Sequence, residues 1–408
     1  MPVWDDLVGQ DRVSEQLRAA ARDADAFVTA VERGEEPALN GSAMTHAWLF
    51  TGPPGCGRAT AARAFAAALQ CRSPDRALGG APGCGFCDGC HTTLVGTHAD
   101  VEVVRTEVLT IGVAETRDLI RRAQLSPAGG RWQIILLEDA DRLTEGAGNV
   151  LLKAVEEPAP RTVWLLCTPS IEDVLPTIRS RCRTLSLRTP PVDAVADLLT
   201  RRDGIHPDIA AGVARATGGH IDRARRLATD ERARARRDAV LTIPTRLDDV
   251  GACLRAAQQL VDTAAEDAKQ LAAELDERET GELRAALGAA EGKRLPRGTA
   301  GAMKELEERQ KRRATRTQRD ALDLALTELT GFYRDVLAHQ FGTDIAVGAG
   351  PADAVARVAA SSRPEQTLRR IEAILDCRRA LDRNVAPLLA VEAMTLSLRD
   401  PLPARTRG

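Results

Sequence analysis

The sequence predicts an α/β module with a parallel sheet, followed by a small helical segment and an all-helical C-terminal domain, and three observations predict it. Residues 46 to 69, HAWLFTGPPGCGRATAARAFAAAL, read as a buried strand from Ala47 to Phe50, a Gly/Pro-rich turn and an Ala-rich helix. Two more apolar runs, WQIILLEDAD from Trp132 and TVWLLCTPS from Thr162, end in polar residues as strands of a parallel sheet do, with helical patterns between them. After Pro190 the strand signals stop. Alternating strands and helices imply a sheet covered on both faces, with ligands expected at the C-terminal ends of its strands.

A chain of 408 residues is long enough for two or three domains at roughly 100 to 200 residues each. Apolar residues make up 44% and aromatics 3%, which favours helical packing and argues against base-stacking nucleic-acid modules. A net charge of −2 excludes DNA binding through net charge alone, so any DNA contact must be local or shared with partners. The opening MPVWDDLVGQ lacks a basic stretch followed by an apolar one, and no run of 18 apolar residues occurs; the expectation is a cytoplasmic protein with no membrane contact. Gly218 and Gly219 mark a break inside a helical segment of residues 192 to 229. Further on, Leu322, Leu326, Leu329, Tyr333 and Val336 share one helical face. The charge-rich stretch from Glu266 to Arg319 reads as exposed helices around a Gly/Pro break at Lys293 to Gly301.

The segment GPPGCGRAT, Gly52 to Thr60, sits between strand and helix, where glycines let backbone amides face a phosphate. The pattern GxxxxGK[ST] needs a lysine for the β- and γ-phosphates and a hydroxyl for Mg²⁺, and Arg58 and Ala59 stand there instead. Alanine cannot ligate magnesium, a guanidinium is not equivalent to an ammonium in a tight cradle, and Thr60 lies one residue late. Gly52, Gly55, Gly57, Arg58 and Thr60 are therefore candidate contacts of a degenerate loop. Two readings stand: weak nucleotide binding without efficient hydrolysis, or an inherited empty turn. Glu138 and Asp139 follow the second apolar run in the reverse of the order an active ATPase needs, a metal-binding Asp and then a base Glu. Displacing a catalytic group by about 1 Å costs on the order of a hundredfold. The plainer role for both acids is to favour the N-terminus of the next helix.

Cys71, Cys84, Cys87 and Cys90 follow the spacing C-x12-C-x2-C-x2-C in a Gly/Pro-rich loop with no core of its own. Four thiolates match tetrahedral zinc, and a closed four-sulfur shell is structural rather than catalytic. Free or redox-active thiols are the alternative. Cys56, Cys167, Cys182, Cys253 and Cys377 lie singly in apolar or helical surroundings, as packing residues do.

DLVGQDRVSEQL, GPPGCGRAT, the four-cysteine insert, EDADRLTEGAGNVLLKAVEEP and TIRSRC occur in that order. Together they resemble bacterial DNA polymerase III clamp-loader subunits, which are AAA+ proteins. The resemblance runs through about the first 235 residues and returns in NVAPLLAVEAM, Asn384 to Met394. Motor subunits of that family carry an intact Lys-Thr or Lys-Ser pair, whereas the delta-prime branch often has a degraded loop and keeps SRC; Arg58 and Ala59 are similar to the latter.

The resemblance implies an AAA+ P-loop module over 1–188 with a zinc insert at 71–90, a helical lid over 189–240 and an all-α collar over 241–408. It implies that Arg181, flanked by Ser180 and Cys182, is an arginine finger projecting into a neighbouring subunit's ATP site; the plainer reading is a helix-surface ion pair. Thr168 falls at the sensor-1 position, and Asp222, with Arg223 beside it, where motor subunits place a sensor-2 arginine. The implied cofactor is structural Zn²⁺, with ATP or ADP binding in doubt. The implied partners are gamma/tau-type motor subunits, the delta subunit, the sliding clamp and, through the complex, primer–template DNA. No intrinsic ATPase is expected. Two other readings stay open, an ATP-binding motor subunit and a zinc-bearing scaffold without influence on ATP turnover. Arg117, Arg121 and Arg122 in AETRDLIRRAQL could reach the DNA backbone, or form a solvated face with Glu115 and Asp118.

Overall fold

The computed structural model describes residues 2–35, 42–74, 81–106, 110–129, 131–286, 300–343, 348 and 350–399. The chain divides into two compact units, Met1–Arg225 and Arg226–Gly408.

The first unit opens with a 3-10 turn at Val3–Asp6 and helix α1 (Asp11–Glu32). Then follow β1 (Ala47–Thr51), α2 (Arg58–Leu69), α3 (Asp88–Val95), β2 (Val101–Val104), α4 (Val113–Ala123), β3 (Gln133–Leu137), α5 (Glu145–Glu156), β4 (Thr162–Thr168), α6 (Pro176–Arg179) and β5 (Arg183–Ser186). The five strands form one parallel sheet in the order β2-β3-β4-β1-β5. Alternation along the strands sends side chains to two cores. Trp48, Phe50, Ile134, Leu136, Val163 and Leu165 pack with α1 and α2, while Leu49, Ile135, Leu137, Trp164 and Leu166 pack with Leu119 of α4, Leu151 and Val155 of α5, and Ile178 of α6. Strands β1, β3 and β4 are buried at every position, which is why they read as continuous apolar runs. The edge strands β2, VEVV, and β5, RTLS, were not foreseen. Both are four residues long and mostly less than fully buried, so they carry no apolar run.

Six buried alanines line α2 (Ala61, Ala62, Ala64, Ala66, Ala67, Ala68), and this small-residue surface lets the helix lie close to the sheet and to its neighbours. Its Phe65 meets Trp48 of β1 edge-on at 5.0 Å between ring centroids, fixing the helix that follows the phosphate loop against the strand that precedes it. Helices α7 (Val192–Asp203), α8 (Pro207–Ala216) and α9 (Ile221–Thr229) come next, with breaks at Gly204 and at Gly218–Gly219.

The second unit is entirely helical among the described residues: α10 (Glu231–Thr242), a 3-10 turn, α11 (Val250–Ala286), α12 (Ala300–Gln340), α13 (Ala352–Ala360), α14 (Pro364–Asp382) and α15 (Pro387–Arg399). Leu322, Leu326, Leu329, Tyr333 and Val336 of α12 form the spine of its core, as their spacing predicts, with Cys253 of α11, Ile374 of α14 and Val391 of α15 around them. Within the charge-rich stretch, α11 and α12 are joined by ion pairs of Arg313 with Asp276 and Glu279. The break expected at Lys293 to Gly301 lies largely outside the described residues.

Candidate functional site: a phosphate loop, an acidic pair and a four-cysteine cluster

The phosphate loop leaves the C-terminal end of β1, beside β4 on one side and β5 on the other. Gly57 caps α2 with φ 92°, so the chain turns from strand to helix through a conformation that suits glycine. At residue 55 (φ 81°) a Cβ would sit 2.2 Å from Cγ of His220, so only glycine fits beneath that ring. His220 lies where the chain enters α9. Burial first, and then the charge of Arg223, hold its imidazole down from the ordinary 6.5 to about 4, leaving the ring neutral near pH 7.

Other groups of the loop are also engaged within the chain. Arg58 Nη1 donates to the carbonyl of Gly52, so the guanidinium turns back on its own loop. Thr60 is exposed in the first turn of α2; one residue is about 100° of rotation, which carries its hydroxyl away from the place of Ala59. Gln10 Nε2 donates to the carbonyls of Cys56 and Arg188, and its Oε1 accepts from Arg188 N at 3.2 Å, tying the loop to the chain beyond β5.

The acidic pair follows β3. Glu138 forms an ion pair with Arg63 of α2, Nη2 to Oε1 at 2.7 Å and Nε to Oε1 at 2.9 Å. Asp139 accepts from Thr106 N at 3.2 Å, and although it stands at the N-cap of the 3-10 turn Ala140–Arg142, its side chain makes no capping hydrogen bond there. Thr168, at the end of β4 and opposite Thr51, is fully buried and donates to the carbonyl of Ser170 at 2.7 Å. In the helix after the double glycine, Asp222 is exposed and lies 3.6 Å from Arg225.

Arg181 follows α6. Its Nη2 lies 2.5 Å from Glu156 Oε1, and its Nη1 donates to Thr177 O at 2.9 Å and to Ser180 Oγ at 3.1 Å, with 40% of the side chain exposed. Cys182 packs against the core on the α5 side of the sheet, and burial pushes its thiol up to about 12. Cys56, Cys167, Cys253 and Cys377 are buried thiols, as their apolar settings suggested. On α4, Arg121 and Arg122 pair with Asp118 at 2.6 Å, and Arg122 also pairs with Glu102 at 2.6 Å.

Cys71 follows the last turn of α2, Cys84 and Cys87 lie in the turn before α3, and Cys90 is in the first turn of α3. Their four Sγ atoms lie within 4.8 Å of one another, with Cys84–Cys90 and Cys71–Cys87 each at 3.9 Å. A disulfide needs about 2.05 Å. Around a metal with bonds of about 2.3 Å, tetrahedral sulfurs stand about 3.8 Å apart, so the set fits an ion and could hold one. Close helix packing builds the cluster: a Cβ on residue 89 would lie 2.0 Å from the carbonyl of Gln70, so glycine lets α3 rest on the end of α2. The N-terminal turn braces the insert, with Trp4 Nε1 donating to Pro82 O at 2.9 Å and Val3 N to Gly83 O at 3.0 Å. A hydrogen bond from Cys90 pulls the Cys71 thiol down and pushes that of Cys90 up.

Gln10, Arg63, Glu156 and His220 escaped sequence reasoning, because each meets its partner only through the fold. For Glu156 a signal existed, since it closes the EDADRLTEGAGNVLLKAVEEP segment that precedes TIRSRC.

A five-stranded parallel sheet in this order, a phosphate loop after β1 and trailing helices define an AAA+ P-loop module. Residues 35–191 match the family described as DNA polymerase III, delta subunit. DNA polymerase III subunit delta′ of Pseudomonas aeruginosa is 39% identical over 167 residues, 40% of this chain and 49% of that protein. Subunit delta′ of Bacillus subtilis is 31% identical over 193 residues, 47% and 57%. Subunit gamma/tau of Mycobacterium bovis is 35% identical over 188 residues, 45% and 32%. Among solved structures, a gamma subunit-related protein from Thermotoga maritima aligns over 92% of this chain and 99% of its own, at 12% identity and a TM-score of 0.38. The chain thus spans about a third to somewhat over half of the length of these curated relatives. Through its N-terminal module it is similar to DNA polymerase III clamp-loader subunits, delta′ among them. Among the described residues no helix is long and apolar enough to cross a membrane.

Proposed function

We propose that the chain acts as the delta-prime, stator-type subunit of a cytoplasmic clamp loader. It would assemble with gamma/tau-type motor subunits and a delta subunit to place the sliding clamp on primed DNA. On this reading residues 1–188 are the AAA+ module, 189–240 the lid and 241–408 the collar through which subunits assemble. Arg181 enters the ATP site of a neighbouring subunit, where a guanidinium stabilises charge on the transferring γ-phosphoryl group, an effect worth about 10³ to 10⁵ in rate in other nucleotide hydrolases. Ser180 and Cys182 frame it, the first by a hydrogen bond and the second by packing. The cysteine cluster holds a structural Zn²⁺ through Cys71, Cys84, Cys87 and Cys90, with no position left for water.

One observation carries this reading: the chain's own nucleotide machinery is engaged within itself. Arg58 is bonded to Gly52, Glu138 is paired with Arg63, and the ring of His220 rests on Gly55. A triphosphate with Mg²⁺ would have to displace all three and would find no hydroxyl at residue 59. The test is Arg181→Ala in a reconstituted loader. The expected result is a loss of at least about tenfold in DNA-stimulated ATP hydrolysis with the complex still assembled; unchanged turnover and clamp loading would remove the finger.

The gamma/tau relatives, which match the same module at 35% identity, keep a motor-type reading in view. Equilibrium ATP binding to the isolated chain separates the two, since a motor binds and a stator of this kind does not.

A further inference from the structure

We propose that Glu156 is a positioning residue for Arg181, fixing its guanidinium at the edge of the module in the orientation that a neighbouring triphosphate meets. The inference rests on the trans role of Arg181 and adds the device that prepares it. An arginine side chain left free in water samples many rotamers, and a finger that must be found among them is slow to act. Here three groups of the same chain hold it: the Glu156 carboxylate at 2.5 Å, the Thr177 carbonyl at 2.9 Å and the Ser180 hydroxyl at 3.1 Å. Ser180 Oγ in turn donates to Thr177 O at 3.0 Å, so the hydroxyl is itself oriented to accept. These contacts use both hydrogens of Nη1 and one of Nη2. Nε–H and the second Nη2 hydrogen remain for an incoming oxygen.

The carboxylate can do this because its own position is set by the core. Glu156 is the last residue of α5, one step beyond the fully buried Val155, whose carbonyl accepts from His46 Nε2 at 2.8 Å. One face of α5 is pressed against the segment that carries the arginine: a Cβ on Gly148 would come within 2.6 Å of Leu175 Cδ1. Helix α5 and the turn into α6 are therefore closely packed, so apolar contacts as well as the ion pair set the separation of Glu156 from Arg181. At 40% and 35% side-chain exposure the pair adds little to folding stability, so removing the carboxylate leaves the fold in place.

The experiment uses the full-length chain in a reconstituted loader at saturating subunit concentration, with thermal melting of each variant as a check on folding. DNA-stimulated ATP hydrolysis is compared for the unaltered chain, Glu156→Ala, Glu156→Asp, Arg181→Ala and the Glu156→Ala/Arg181→Ala pair. The expected pattern is a kcat about fivefold lower for Glu156→Ala with KM for ATP unchanged, partial recovery in Glu156→Asp, and a double variant no worse than Arg181→Ala alone. Normal kcat in Glu156→Ala beside a crippled Arg181→Ala would overturn the positioning role and leave the finger standing. Additive losses, or a deficit that vanishes when more chain is supplied, would assign Glu156 to another task or to assembly and also overturn it. A silent Arg181→Ala would remove this inference together with the reading beneath it.

Discussion

Helix α2 joins two glycine-rich loops that have met opposite fates. At its N-terminal end the phosphate loop is engaged by its own chain: Arg58 on Gly52, Gln10 on Cys56, His220 over Gly55, and across from it Glu138 on Arg63. At its C-terminal end four thiols converge to within 4.8 Å, and each brings a sulfur whose natural partner is a cation. One loop has filled itself with side chains, while the other has kept a complete ligand set. On the proposed function, the difference separates what the subunit would need for its own architecture from what it would leave to a neighbour. On that reading a bound Zn²⁺ would shape the module, whereas nucleotide chemistry would be carried out in a neighbouring subunit that Arg181 reaches.

The sharpest way to break the comparison is to remove a ligand. Cys87→Ser should abolish stoichiometric zinc, read by atomic absorption, and destabilise the first unit by roughly 2–4 kcal/mol, lowering its melting temperature by about 5–15 °C. Zinc-free protein with an unchanged melting curve would demote the cluster to ordinary packing. A smaller effect is expected at His220. Its folded-state pKa lies near 4 against an ordinary 6.5, so the unfolded chain binds more protons between those values. The contribution is complete above about 6.5 and is lost as the pH falls toward about 4, amounting to at most about 2 kcal/mol at pH 5. His220→Gln should flatten that part of the pH–stability profile; an identical acid slope in the variant would show that the ring is not buried on the loop. The smallest change is expected from restoring the missing pair. Arg58→Lys with Ala59→Thr should still give no measurable phosphate release, because Glu138 remains tied to Arg63 and the acids remain in reverse order. Brisk hydrolysis by that variant would mean two substitutions are all that separate this chain from a motor.

The sequence disclosed the buried strands and hid the edges for a physical reason. Ala47–Thr51, Gln133–Leu137 and Thr162–Thr168 are covered on both faces and therefore apolar throughout, whereas VEVV and RTLS border the sheet and are mixed in character. The cysteine cluster was legible because ligand spacing is local, with three cysteines in seven residues. The loss of Lys and hydroxyl from the phosphate loop was legible for the same reason. What filled the gap was not, since Arg63 and Glu138 are 75 residues apart and His220 reaches Gly55 from beyond the sheet. The own-chain partner of Arg181 belongs to the same class: TIRSRC advertises the arginine, but only the packing of α5 on α6 brings Glu156 to it.

Native mass spectrometry of the purified chain, without added nucleotide or metal, weighs both loops at once. The expected species is the polypeptide plus one zinc ion and nothing else. A retained ADP or ATP, or a chain with no metal bound, would contradict that reading.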